Sequence, residues 1–466
     1  MIDLVKKVEK NILELGLIDR GDKILVAFSG GPDSTALLYA LHRLSAKHEF
    51  STAACYINHK IRPRAVRKEI EFCRETCAEL HIPFSVIETD IPVLAEELKI
   101  SLEEAGHRFR KDALAYMADE MKCNKIALGH HLDDLTETVL FRLFRGTGPG
   151  GLNPLKPLDS GRIRPLYNIS RSEIENYLRA KKIDSMLDKS NQESNYSRNY
   201  IRNKIIPVVE KRFGSKYRSS ILNFTQILAD ENRYLDSLAR EKLKKAAMVT
   251  PGGKIVVDLA LISGYDVWLK RRMFKLVLEN AGGRPGSGNF EEINRILELP
   301  DSHIKALNLT NGLTVARDRT QLIFFGKKTN IGKTEIEIRG MTQLNGIDIS
   351  IKCTPGKPGR ARLEKVKDGR SVSVDYNRLA LPLHARGIRP GDSFSPLGMT
   401  RTKKIGDFLT DKKVSKYFRD EIPVLFDQKG IIWLVGHQIA NRVKIDKTTR
   451  KVLTIESIGN ELVGIA

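Results

Sequence analysis

Two short stretches combine glycine, hydroxyl and carboxylate side chains in a way that suits phosphate chemistry. Ser29-Gly30-Gly31-Pro32-Asp33-Ser34 directly follows the apolar run Ile24–Phe28 and opens an apolar-periodic stretch. Glycines let the backbone approach phosphate oxygens, and N–H groups at a turn and a helix start bind anions. Ser29 and Ser34 add hydroxyl donors. No Gly-Lys-Ser/Thr closes the loop, so it is not a Walker A loop. A carboxylate at Asp33 repels phosphate unless a divalent cation bridges the two, so Asp33 predicts Mg²⁺.

The second stretch is Gly129-His130-His131-Leu132-Asp133-Asp134-Leu135-Thr136-Glu137-Thr138. On a helix, Asp133 and Glu137 are four apart and Asp134 and Glu137 three apart, which puts acids on a shared face. Asp133 and Asp134 fall in the first turn, where the helix dipole favours them. Acids beside a triphosphate need a metal ion or an ammonium partner. Mg²⁺ ligation, with Asp33 and Asp133 as the expected ligands, and capture of a cationic amine both meet that need. A zinc site from His130, His131 and Asp133 is disfavoured, because adjacent histidines seldom converge on one ion. Helix capping by Asp133 is compatible with either reading.

Two further motifs supply polar side chains. Asn58-His59-Lys60-Ile61-Arg62 ends a predicted strand, which makes His59 and Arg62 candidate nucleotide contacts. Asp188-Lys189-Ser190-Asn191 precedes Tyr196-Ser197-Arg198-Asn199-Tyr200-Ile201-Arg202. Interleaved Arg, Asn and Tyr suit phosphate and base contacts, with Arg198, Asn199 and Arg202 as candidate RNA ligands; the alternative is a solvated basic helix.

The elements that must position these residues alternate in type. Strands are predicted at Ile24–Phe28, Thr52–Ile57, Phe84–Ile87 and 125–128, with helices at 66–80, 102–121 and 133–144 between and after them. Such alternation implies an α/β fold with an open parallel sheet, Rossmann-like, whose ligands sit beyond the carboxyl ends of the strands. Ser170 and Glu173 form a predicted capping box for a helix through Ala180. A mainly helical middle domain follows, with helices over 216–247 and near 267–280, and a hairpin of 313–316 with 322–325. From about Glu335 strands dominate, predicting an α+β C-terminal domain. The boundaries read are 1–215, 216–330 and 331–466.

Composition bounds the rest. With 466 residues, 41% hydrophobic and 29% charged, the chain is ordinary globular protein of several domains. No run is apolar enough to span a bilayer and no signal-peptide core is visible, so a cytoplasmic location is expected. Five scattered cysteines, with no Cys-x-x-Cys, argue against a disulfide framework. A formal net charge of +21 favours a polyanionic partner, and nucleic acid leads in the absence of a membrane anchor. The sequence does not fix oligomeric state and leaves a homodimer open.

The loop at 29–34 resembles the PP-loop of the N-type ATP pyrophosphatases, which cleave ATP between its α and β phosphates. Four segments in order resemble the tRNA(Ile)-lysidine synthetases: 29–34, 57–62, 129–148 and 188–207. The stretches 389–398, 402–404, 414–423 and 432–439 resemble that family's terminal domain. The family often has Ala-Ala-Arg-x-x-Arg-Tyr on its long helix; here His107 and Lys111 stand at the first arginine and the tyrosine, and Arg110 matches the second arginine. Gly129 stands where alanine is common, and Leu135 where glutamine is common. The resemblance implies an ATP-dependent ligase that adenylates C2–O of the wobble cytidine in a CAU-anticodon isoleucine tRNA. Free L-lysine then displaces AMP. It also implies Asp33, Arg110, His131, Asp134 and Glu137 in catalysis, with His131 or a carboxylate as base, and tRNA contacts from Lys403, Lys404, Lys412 and Lys413. Competing readings are a tRNA thiolase, which often uses paired cysteines, a small-metabolite amidating enzyme, and an RNA-binding protein with an inactive loop.

Overall fold

In the computed structural model the chain divides into two compact units, Met1–Arg233 and Tyr234–Ala466. The structure describes residues 3–58, 63–89, 91–186, 197–282, 288–310, 312–358, 369–459 and 463–464. His59 and Arg62 lie outside the described residues, as does the side chain of His107.

The first unit runs α1 (Leu4–Glu14), β1 (Lys23–Ala27), α2 (Pro32–His48), β2 (Ser51–Asn58), α3 (Pro63–Glu79), β3 (Phe84–Glu88), α4 (Ile91–Leu98), α5 (Leu102–Glu120), β4 (Lys125–Ala127), α6 (Leu132–Arg145), β5 (Leu158–Asp159), β6 (Arg162–Ile163) and α7 (Arg171–Lys181). Its sheet has the order β3-β2-β1-β4-β6-β5. Pairing is parallel from β3 to β6, with Val26 opposite both Ala54 and Ala127. The edge pair β5–β6 is an antiparallel hairpin.

The apolar run Ile24–Ala27 of β1 follows from this topology, since helices cover both of its faces. Ile24 and Val26 pack with Val8 and Ile12 of α1 and Leu37 and Leu41 of α2. Leu25, pointing the other way, packs with Ala53 and Cys55 of β2 and Leu114 and Ala118 of α5. The chain order crosses over between β3 and β4, so the carboxyl ends of β1 and β4 lie side by side. That is the switch point where this architecture binds ligands.

The second unit holds two cores. A fully antiparallel sheet orders Val463–Gly464, Ala247–Val249, Ile255–Asp258, Gln321–Phe325, Thr314–Asp318 and Ala306–Asn308. Helices Val267–Gly282 and Phe290–Glu298 cover it, with Phe274, Val277 and Ile296 against Val257 and Phe324. The expected middle helices are present, and the structure adds this sheet, of which the sequence suggested only the hairpin. The remaining stretch forms a five-stranded and a four-stranded sheet around Trp433, Leu425, Ile351 and Leu453, with helix Ile405–Asp411 packed on them. All five cysteines are free and buried. Among the described residues no helix is long and apolar enough to cross a membrane.

Candidate active site

The loop between β1 and α2 is wired from within. Gly30 adopts φ +77°, a conformation glycine reaches without strain. Gly31 is the N-cap residue of α2 and Pro32 occupies its first turn. The Ser34 hydroxyl accepts from the Ser29 N–H at 3.2 Å and donates to the Gly31 carbonyl at 3.0 Å, while Thr35 donates to the Gly30 carbonyl at 3.1 Å. A loop tied down this way presents its amides without a further ordering cost.

The end of β4 meets this loop closely. A Cβ on Gly129 would lie 3.3 Å from the Asp33 carbonyl carbon and 3.3 Å from the Ser34 nitrogen, both backbone atoms. Glycine there lets the segment carrying His130 and His131 abut the first turn of α2. Leu135, another departure from the family pattern, is buried beside Leu132 and Val139 and packs as a core residue.

His131 caps α6. Its Nδ1 accepts from the Asp133 N–H at 3.2 Å, and the Asp134 carboxylate accepts from the His131 N–H at 3.0 Å, forming a reciprocal capping box. Its Nε2 lies 3.6 Å from Asp33 Oδ1 and 3.5 Å from Asp134 Oδ2. Burial alone would lower the pKa of this ring; Asp33, Asp134 and Asp133 outweigh it and raise the pKa. At 1% exposure, with both ring nitrogens turned to protein groups, His131 is not placed to take a proton from an incoming amine. The ring lies between the loop carboxylate of Asp33 and the α6 carboxylates.

The three acids of α6 separate. Asp133 accepts from Arg218 Nε at 2.6 Å and from the Arg171 N–H at 2.8 Å, and Arg218 also holds Glu210. Both of its oxygens are engaged in joining α6 to α7 and to Arg218, contacts that the spacing of the acids, which suggested a Mg²⁺ ligand here, did not reveal. Glu137 is buried and takes a bidentate bond from Arg202, at 2.5 and 2.8 Å, and Arg202 also reaches Asp134 at 3.4 Å. Burial raises the Glu137 carboxyl above its ordinary range against the pull of Arg202. Arg202, expected among the RNA ligands, is thus held by buried carboxylates, and its guanidinium forms part of a cavity wall.

That cavity, of about 510 Å³, is lined by Ser29, Gly31, Asp33, Ser34, Gly129 and His130, by the arginines 110, 171 and 202, and by Tyr56 and Glu69. Arg110, singled out by the resemblance, is one of the lining residues. Asp33 is the wall's distinctive group. Its Oδ1 is buried without a hydrogen-bond partner, since His131 at 3.6 Å is too far to donate well. Burial would raise its pKa, but His131, Arg171 and Arg202 lower it, so the carboxylate is charged. A charged, orphaned oxygen beside an anion loop fits a hard divalent cation that takes most of its ligands from phosphate and water. No cluster of three or more His, Cys, Asp or Glu is found among the described residues.

Several wall and support residues had no signal in sequence. Arg171 is the first residue of α7, placed by the Ser170–Glu173 capping box. Tyr56 donates to Glu69 at 2.5 Å from the next helix. Arg164 donates to His130 at 3.3 Å. The expected RNA contacts are dispersed. Arg198 is exposed, with its guanidinium 5.6 Å from the Phe141 ring centre, and Asn199 is half-buried. Lys404, Lys412 and Lys413 are exposed; Lys403 pairs with Asp411.

Comparison with known proteins identifies the family. The PP-loop domain family matches residues 4–209, and the TilS substrate C-terminal domain matches residues 383–455. The chain is 33% identical over 464 residues to a tRNA(Ile)-lysidine synthase of Caldanaerobacter subterraneus subsp. tengcongensis, covering 97% of each chain. It is 30% identical over 458 residues to that of Clostridioides difficile, covering 96% of this chain and 98% of the relative. Among solved structures, a U34-tRNA thiolase, NcsA from Methanococcus maripaludis, is similar at 19% identity and a TM-score of 0.40, over 48% of this chain and 79% of that one, a likeness too slight to bear on function. A one-third identity along the whole length, with the loop, the α6 acids and the terminal domain all in order, places this chain in the tRNA(Ile)-lysidine synthase family.

Proposed function

We propose that this protein ligates L-lysine to C2 of the wobble cytidine in a CAU-anticodon isoleucine tRNA, converting ATP to AMP and pyrophosphate. The single observation that carries the reading is the Asp33 carboxylate, charged and unpartnered at Oδ1, at the mouth of an anion loop that opens on an arginine-lined cavity. ATP use follows from the PP-loop domain, and a tRNA substrate from the family as a whole.

In the first step the cytidine O2 attacks the α-phosphorus. The O–P bond forms, the bond to the β-phosphate oxygen breaks, and pyrophosphate leaves with the electron pair. Charge grows on the phosphoryl oxygens, where the loop amides and the guanidiniums of Arg110, Arg171 and Arg202 offset it. Asp134 and Glu137 hold Arg202 in the wall, so their contribution is to orient a cation. Asp33 would hold a Mg²⁺, which would supply Lewis-acid stabilisation of the same charge. In the second step the lysine ε-ammonium gives its proton to a carboxylate of the site, the amine nitrogen bonds to C2, the C2–O bond breaks, and AMP departs with that oxygen. The anticodon loop lets the cytidine leave its stack for a few kcal/mol.

Domains 1–215, 216–330 and 331–466 would divide catalysis from tRNA binding, with Lys403, Lys404, Lys412 and Lys413 of the last domain and Arg198 and Asn199 of the first touching RNA phosphates. A soluble, cytoplasmic enzyme is the matching setting. The test is incubation with CAU-anticodon tRNA, ATP and labelled lysine. Label in the RNA with stoichiometric pyrophosphate supports the reading. ATP-dependent sulfur incorporation without lysine transfer would replace it with a thiolase, and tRNA binding without ATP cleavage would replace it with a binding protein.

A further inference from the structure

One cavity-wall side chain has no part in the chemistry above. His130 follows Gly129, so the close approach of Gly129 to the backbone of Asp33 and Ser34 carries it to the edge of the phosphate loop. Behind it stands Arg164, a buried residue just past β6. Arg164 donates through Nε to His130 Nδ1 at 3.3 Å and through Nη1 to the Lys156 carbonyl at 2.6 Å.

That contact decides where the proton of the ring sits. A guanidinium is always charged and only donates. It requires a lone pair on Nδ1, so the ring proton is on Nε2. Burial, with Arg164 and Arg110, pushes the pKa of His130 down to about 4 against the pull of Asp134. The ring is therefore neutral at pH 7. No described residue accepts from Nε2, and the ring lines the cavity. The contrast with its neighbour is direct: both nitrogens of His131 face protein groups, whereas His130 has one nitrogen fixed by an arginine and one left for a ligand.

We propose that His130 is a further catalytic residue, its Nε2–H donating to a non-bridging oxygen of the phosphoryl group under attack, and that Arg164 is the positioning residue that fixes this tautomer. The inference rests on the adenylation reading. As the cytidine O2–P bond forms and the bond to pyrophosphate breaks, charge on the non-bridging oxygens rises. A neutral donor stabilises that charge without releasing its proton. A charged imidazolium could not serve here, because Nδ1–H would point at the Arg164 guanidinium.

Two substitutions separate the nitrogens. In His130→Gln the amide N–H reaches about as far as Nε2; in His130→Asn it reaches only as far as Nδ1. Single-turnover pyrophosphate release by His130→Asn should fall on the order of 10²-fold, with KM for ATP moved less than about threefold. His130→Gln should stay within about tenfold of wild type. Arg164→Met should slow the same step, and Arg164→Lys, which restores a donor, should recover it. Nitrogen-15 spectra of the histidines, with and without α,β-methylene-ATP, give a readout that needs no turnover. Wild type should show His130 as the Nε2–H tautomer with its proton shifted downfield by the analogue, and Arg164→Met should lose the tautomer preference. Equal rates for His130→Asn and His130→Gln, or an Nδ1–H ring in wild type, overturn the inference. Absence of lysine transfer by wild type, with the spectroscopic signature intact, overturns the lysidine reading and leaves the His130 assignment standing.

Discussion

Each unit buries a group of charged side chains, and the two groups are built to different ends. In the second unit Lys254 lies at 3% exposure; its ammonium donates to the Tyr417 carbonyl and to Asp420 and forms an ion pair with Glu421 at 3.4 Å. Thr250 donates to Glu421 at 2.8 Å and the Thr329 N–H to Asp420 at 3.0 Å. The group is closed: every charge meets another across the seam between the middle sheet and the C-terminal sheets. In the first unit the group of Asp33, His131, Asp134, Glu137 and Arg202 is closed on its inner side by the capping box and the bidentate arginine. Its outer side stays open, because Asp33 Oδ1 has no donor and the Arg202 guanidinium faces a cavity. A folded protein leaves a buried carboxylate oxygen unpartnered at a cost of about 1–3 kcal/mol. A closed cluster is what stability selects; an orphan beside an anion loop is what a ligand completes.

Removing the open group should therefore hurt activity and spare the fold, and removing the closed group should do the reverse. The largest expected effect is at Asp33. Asp33→Ala should lower lysine transfer by about 10³-fold, with the chemical denaturation midpoint shifted by no more than about 1 kcal/mol. An Asp33→Ala protein that melts far below wild type would show that the orphan is structural, and the comparison would fail. Next is Lys254→Met, which leaves Asp420 and Glu421 buried without their cation. A loss of about 3–5 kcal/mol is expected by denaturant titration. Pyrophosphate release per folded molecule should be unchanged, since Lys254 belongs to the second unit and not to the cavity.

A smaller effect sharpens the division inside α6. Asp133 is tied to Arg218 and to the Arg171 N–H, so Asp133→Asn should keep one acceptor and weaken one charge-assisted bond, at about 1–2 kcal/mol. The Mg²⁺ concentration that half-activates the enzyme should not move, whereas in Asp33→Asn it should rise steeply. A large rise for Asp133→Asn would return this residue to the ion.

What could be read from the chain divides along the same line. The parallel sheet and the phosphate loop were legible because their signals are local: an apolar run such as Ile24–Phe28, a Gly-Gly-Pro turn, acids at helical spacing. The partners were not. Arg202 meets Glu137 across 65 residues, Arg218 meets Asp133 across 85, and Arg164 meets His130 across 34. Periodicity says which face of α6 carries the acids, but nothing in it says which arginine arrives there. Asp133, Asp134 and Glu137 look alike in sequence, yet Arg218 holds the first while Arg202 holds the other two. The middle sheet escaped for a related reason. Ala247–Val249 and Ala306–Asn308 are three residues each, too short to show an alternation, and they are strands only because their neighbours pair with them.

The smallest expected effect concerns pH and probes the closed group from within. Burial raises the Glu421 carboxyl above its ordinary value, even with Lys254 and Thr250 pulling it down. An acid whose folded-state pKa lies above the unfolded one gives up its proton in the unfolded chain first. As pH rises from below about 4.5 through the raised folded pKa, the unfolded state gains relative to the folded one, and that loss persists at neutral pH. Glu421→Gln keeps an acceptor for Thr250 and removes the buried charge, while Asp420 still neutralises Lys254. It should leave stability at pH 7 unchanged or higher by up to about 1 kcal/mol, and it should flatten this part of the rise in stability as pH falls from neutral toward 5. A destabilised Glu421→Gln protein at pH 7 would mean that Lys254 needs both carboxylates, and that the closed group is held by charge count rather than by completed hydrogen bonds.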